Sequence, residues 1–86
     1  MVEGDIRQQT KQAFNNLAAV LQAAGLTVDD VIKVNVYLTS MKNFGGMNEV
    51  YQTVFNPPYP ARTTVAVAEL PLNAIVEIEL IAQKSD

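Results

Sequence analysis

Apolar residues change their spacing between Leu21 and Ile32, and that change limits the folds open to this chain. Ile6, Thr10, Phe14, Leu17 and Leu21 recur at steps of four, four, three and four, which marks one face of a helix of about five turns. Asp5 followed three residues later by Gln8 predicts a capping box at its start, the carboxylate accepting a backbone N–H and the amide reaching back. Gly25 fits the left-handed residue just past its end. After a short turn over Leu26 to Asp30 the period drops to two. From Val31 to Thr39, Ile32, Val34, Val36 and Leu38 point one way, while Lys33, Asn35, Tyr37 and Thr39 point the other. A helix must therefore hand over to a strand with one face in a core.

Phe44, Met47, Tyr51, Val54 and Phe55 form a second helical stripe, although Gly45 and Gly46 weaken its first turn by about 1 kcal/mol each. Pro57, Pro58 and Pro60 cannot continue that helix and impose an extended link. Two further strands follow, about Arg62–Ala68 and Ala74–Ala82, and the short Leu70-Pro71-Leu72-Asn73 loop between them predicts a hairpin. The order helix, strand, helix, strand, strand gives an α+β fold with two helices packed on one face of a small mixed β-sheet. The other face, carrying Asn35, Tyr37, Ile75, Glu77, Glu79 and Ile81, is left without a partner inside the chain. Mixed apolar and charged, it suits a subunit interface. A single domain of 86 residues buries only about 60–65% of its unfolded surface. With 49% apolar and 17% charged residues it is rich in core material, so a homo-oligomer packed sheet against sheet is expected.

The formal net charge of −3, with six scattered Lys and Arg, gives no general attraction for a phosphate backbone, so no nucleic-acid partner is expected. No apolar run reaches the roughly 18 residues of a membrane span, and Met1–Asp5 is not the basic start of a signal peptide. A soluble, cytoplasmic protein with no membrane partner is expected. The chain has no cysteine and no histidine, which removes disulfides, thiolate nucleophiles and the commonest metal ligands. Chemistry must then run on carboxylates, hydroxyls, Arg, Lys, backbone groups and water, with no metal and no cofactor.

Tyr59-Pro60-Ala61-Arg62-Thr63-Thr64-Val65 ends the proline-rich turn and delivers one of two arginines to the mouth of a strand. A fixed guanidinium there can grip a small carboxylate bidentately. Glu77 lies in the strand Ile75–Ile81, so an arginine and a carboxylate could share one sheet face. Read without further context, Arg62 also fits a surface ion pair, and Glu77 and Glu79 fit exposed strand carboxylates. Asn48 lies on the apolar stripe between Phe44 and Tyr51, as a satisfied buried amide or a ligand contact. Tyr37, Tyr51 and Tyr59 fit core or interface aromatics, and Lys33 and Lys42 fit solvated charges. Gly45-Gly46 is no phosphate loop, since no Lys-Ser or Lys-Thr follows it.

Taken in order, Gly4-Asp5-Ile6, Gln9-Thr10, Asn16-Leu17, Val20-Leu21, Ala24-Gly25, Val31-Ile32-Lys33, Phe44, Asn48-Glu49-Val50-Tyr51, Pro60-Ala61-Arg62-Thr63, Leu70-Pro71 and Glu77-Ile78-Glu79 carry a resemblance over the whole chain. The sequence resembles the RidA/YjgF reactive-intermediate deaminases, small trimeric proteins with a chorismate-mutase-like fold. The resemblance implies hydrolysis of 2-imino acids or their enamine tautomers to 2-keto acids and ammonia. It places Arg62 on the substrate carboxylate, Glu77 on the attacking water, and Asn48 and Thr64 among the substrate-binding residues, Thr64 standing where some members carry a cysteine. It leaves Glu79 as structural. A protonated imine is already electrophilic, so orientation and proton handling suffice.

The family begins with a strand segment of roughly 40 residues, about three strands with their turns, that has no counterpart here. That segment holds a Gly-Pro-Tyr and a Ser-Gly-Gln motif that also line the family pocket. Met1-Val2-Glu3-Gly4-Asp5 reads as the middle of a family sequence behind an initiator methionine, which predicts an N-terminally truncated chain with a partial pocket. A non-catalytic carboxylate-binding or interaction oligomer is then the alternative function. Ribonuclease or translation-inhibitor activity fits the acidic, histidine-free composition less well.

Overall fold

The computed structural model describes residues 4–84, so the Met1–Glu3 part of the amino-terminal reading lies outside the described residues. Helix α1 spans Ile6–Ala23. Its Asp5 cap accepts from the Gln8 amide at 2.9 Å, and the Gln8 side chain accepts the Asp5 N–H at 2.9 Å, which satisfies two donors that a helix start otherwise leaves open. At the other end Gly25 takes φ +77°. Leu26 N–H donates to Leu21 and Gly25 N–H to Gln22, closing the paired bonds of a Schellman motif. Both helix limits are thus set by residues within one turn of them.

Strand β1 spans Val31–Leu38, helix α2 Phe44–Val54, strand β2 Ala61–Ala66 and strand β3 Val76–Ala82. The helices cover one face of a three-stranded mixed sheet, as expected. The hairpin, however, is not formed. The strand order is β2-β1-β3, with β1 parallel to β2 and antiparallel to β3. Residues 67–75 cross the end of β1, where Val67 N–H donates to Leu38 and Thr39 N–H donates to Ile75. Such a connection exceeds the two to five residues that usually close a hairpin. The placement also covers both hydrogen-bonding edges of β1, whose Val34, Val36 and Leu38 are fully buried.

The alternation in β1 is broken once. Pairing with β3 slips between Val31 and Lys33, so Val31 enters the core at 7% exposure and Ile32 turns out to 50%. A bulge reverses side-chain direction on one side of it, which simple alternation cannot show. Ile75 also departs from the expected outer face, because it precedes β3 and packs against the core. Buried Gln9 accepts the Ile75 N–H at 2.9 Å and donates to Gly4 at 3.0 Å, tying the start of α1 to the start of β3.

The core runs from Ile6, Phe14 and Leu21 of α1 through Met47 and Tyr51 of α2 to Val34, Val36, Leu38, Val76 and Ile78 of the sheet. Phe14 of α1 and Tyr51 and Phe55 at the end of α2 join the two helices with ring centroids 4.9 to 6.2 Å apart, in tilted or edge-on geometry. Gly46 lets the helices approach, since a Cβ there would stand 2.6 Å from Ile6 Cγ2. The glycine that costs propensity thus permits the packing. Gly46→Val is expected to lower stability by about 1–3 kcal/mol through overpacking, read as a lower urea midpoint with an unchanged slope. A wild-type midpoint would show that Ile6 yields freely.

Candidate carboxylate-binding site

Strand β2 is an edge strand, and its register with β1 decides where its side chains go. Arg62 pairs with Val34 and Thr64 with Val36, so both project onto the helix-covered face. Arg62 is half-buried there against α2. Its Nη1 donates to Asn48 Oδ1 at 2.6 Å, and its Cζ lies 4.5 Å from the centre of the Tyr51 ring and 5.3 Å from that of Phe44. Phe44, Asn48 and Tyr51 share one face of α2 because they are spaced four and three residues apart. The proline-rich link then brings Tyr59 and Pro60 to the rim. Asn48, Tyr51, Gln52, Tyr59, Pro60 and Arg62 enclose an open concavity of about 360 Å³.

A guanidinium only donates, so Asn48 must turn its oxygen toward Arg62 and its Nδ2 donors away. Tyr51 is 4% exposed, and its hydroxyl has no hydrogen-bond partner among the described residues. Burial pushes its phenol above the ordinary value, with the Arg62 charge pulling the other way and Tyr59 adding to the rise. The ring therefore faces Arg62 as a neutral aromatic. Thr64 lies on the same sheet face as Arg62, its hydroxyl buried and without a hydrogen-bond partner among the described residues, but it does not line the concavity.

Glu77 is placed elsewhere. It pairs across from Tyr37, and that row lies on the open face of the sheet. Arg62 and Glu77 therefore stand on opposite faces and on opposite sides of β1, which corrects the expectation that they share one. The open face carries Val65, Tyr37 and Glu77 in one row, and Thr63, Asn35 and Glu79 in the next. Tyr37 donates to Glu79 Oε1 at 2.5 Å, and this bond pushes the Tyr37 phenol above its ordinary value. Lys33, read as a solvated charge, donates to Thr63 Oγ1 at 2.6 Å.

Arg62 and Asn48 are thus brought together, whereas Thr64 stands behind them and Glu77 apart. Sequence reasoning missed the aromatic seat of Arg62. The signal was present in the Phe44, Asn48, Tyr51 spacing, but nothing in the sequence says which strand side chain lies beneath that helix face. Among the described residues no three of His, Cys, Asp and Glu cluster closely enough to hold a metal ion, and no helix is long and apolar enough to cross a membrane.

Two helices over a β2-β1-β3 sheet, with an arginine seated between β2 and α2, define an α+β protein with a candidate carboxylate pocket. RidA from an Antarctic Psychrobacter superimposes with a TM-score of 0.90 at 44% identity, over 95% of this chain and 66% of that one. Escherichia coli TdcF, solved with bound serine, superimposes with a TM-score of 0.92 at 39% identity, over 99% and 69%. The 2-iminobutanoate/2-iminopropanoate deaminase of Dermatophagoides farinae is 49% identical over 81 residues, which are 94% of this chain and 63% of that protein. The family model described as Endoribonuclease L-PSP matches residues 1–84. This chain belongs to that family, the one that includes the RidA and YjgF proteins, and spans about two thirds of the length of these three relatives.

Proposed function

We propose that the chain binds small 2-imino acids and hydrolyses them to 2-keto acids and ammonia. The observation that carries this reading is the Arg62 guanidinium, held at the concavity by Asn48 and by two ring faces. A planar fork of donors matches a carboxylate, and the free Nδ2 of Asn48 offers a second donor beside it. The relative solved with bound serine supports a ligand with a carboxylate. In the reaction a protonated imine takes up water at carbon, the C–N bond breaks, and a 2-keto acid and ammonium leave. The proton carried from water to nitrogen needs one acceptor nearby, for which a carboxylate is suited.

Among the described residues no carboxylate lines the concavity. Glu77 faces away, on the sheet face that no described element covers. A homo-oligomer, for which a trimer is our reading, would complete the site, with Arg62 and Asn48 from one protomer and Glu77 from its neighbour. A lone protomer would bind carboxylates without turning them over, which is the second function this geometry favours. The single arginine of the concavity and the net charge of −3 offer no track for RNA.

The decisive experiment follows conversion of 2-iminopropanoate, made in situ by an amino-acid oxidase, to pyruvate with and without the protein. Arg62→Ala and Glu77→Gln are expected to be inactive alone. After subunits exchange, an equal mixture should regain about one quarter of the sites by random pairing. No acceleration by the folded wild-type protein would sink the enzymatic reading. A mixture that stays inactive would show that the two residues do not serve one shared site.

A further inference from the structure

Arg62 rises from an edge strand with one polar anchor among the described residues, the 2.6 Å bond from Nη1 to Asn48. One hydrogen bond fixes a point of the guanidinium and not its plane. Carboxylate capture depends on the plane, because both N–H bonds of the fork must reach the same anion. Among the described residues the rings of Tyr51 and Phe44, whose centres lie 4.5 and 5.3 Å from Cζ, are the aromatic surfaces beside the group. Tyr51 is itself held edge-on by Phe14 and tilted against Phe55. Its hydroxyl makes no hydrogen bond among the described residues, so the ring is the part that meets Arg62.

We infer that Tyr51, assisted by Phe44, is a positioning residue that holds the Arg62 guanidinium in the orientation that receives a carboxylate. Affinity for small carboxylates then depends on an aromatic ring at position 51 and not on a tyrosine hydroxyl. The inference rests on the proposed carboxylate site, but the ring contact can be read without a ligand. A cation centred on a ring face gains about 0.5–2 kcal/mol, which corresponds to a change of about 2- to 30-fold in affinity.

The test uses the whole chain with Tyr51→Phe, Tyr51→Met and Phe44→Leu, nitrogen-15 labelled, and pyruvate as the probe. The Arg62 Nε–H proton, assigned by its loss in Arg62→Lys, is expected upfield of ordinary arginine through the ring current. Tyr51→Phe should keep that shift and most of the pyruvate affinity. Tyr51→Met, similar in bulk but without a ring, should return the proton to its ordinary position and weaken pyruvate binding about ten-fold. If Tyr51→Met does not fold, Phe44→Leu decides the matter, with about three-fold weaker binding and a partial shift expected. A folded Tyr51→Met that binds pyruvate as the wild type does, an unmoved Nε–H proton in that variant, or an unchanged Phe44→Leu where Tyr51→Met is unfolded would overturn the inference. A shifted proton in a wild type that binds no pyruvate would sink the carboxylate reading, and the proton position in Tyr51→Met would still decide the role of the ring.

Discussion

Replacing Arg62 with alanine is expected to lower kcat/KM for 2-iminopropanoate by about 100-fold or more, while the urea midpoint changes little. Truncating one partner of a desolvated, charge-assisted contact costs about 2–5 kcal/mol, and each 1.4 kcal/mol is a factor of ten. The charge of Arg62 is shared with no carboxylate among the described residues, since its polar partner is the neutral Asn48 amide. The guanidinium is thus held but not neutralised, and a substrate anion can complete it. Arg62→Lys should recover only part of the loss, because an ammonium has neither the planar fork nor the delocalised guanidinium whose Cζ stands 4.5 Å from the centre of the Tyr51 ring. The check is steady-state pyruvate formation, with circular dichroism to confirm the fold. Activity within three-fold of wild type in Arg62→Ala would mean that the carboxylate is bound elsewhere.

Leu38→Ala is expected to have the largest effect on stability. Leu38 is fully buried in the central strand, paired with Ala66 on one side and Val76 on the other, at the point where the 67–75 connection crosses. Emptying such a site costs about 2–5 kcal/mol through lost transfer energy and the cavity left behind. A domain of 86 residues, at about 0.05–0.15 kcal/mol per residue, has only about 4–13 kcal/mol in total. The melting temperature should therefore fall by about 10–30 °C. Ile32→Ser, six residues earlier in the same strand and half exposed, should change stability by no more than about 0.5 kcal/mol. Equal losses in the two variants would place Ile32 in the core and remove the bulge between Val31 and Lys33.

The contrast between Leu38 and Ile32 marks how far residue order alone reaches. Both satisfy the same every-second-residue pattern, and only pairing with β3 separates them. Arg62 and Glu77 show the same limit at the site. Each was legible as a residue able to serve a carboxylate and a water, and the family resemblance assigned them those roles. Their placement on opposite faces follows from registers of β1 with two different strands. Asn48 was legible as a pocket or buried amide and proves to be the group that meets Arg62. Tyr51 was legible as a core aromatic, and it is one, but the same ring also carries the guanidinium.

By itself the sequence determined whatever depends on neighbours a few residues apart. The Asp5–Gln8 box, the Gly25 end of α1, the stripe of α2, the break at the prolines and the α+β order all rest on contacts within one or two turns, whose geometry the chain imposes locally. Tertiary structure alone decided the insertion of β1 between β2 and β3, the close approach of the helices at Gly46, and the faces on which Arg62 and Glu77 stand. Those outcomes depend on pairings between distant segments, where a shift of one residue sends every side chain of a strand to the other face.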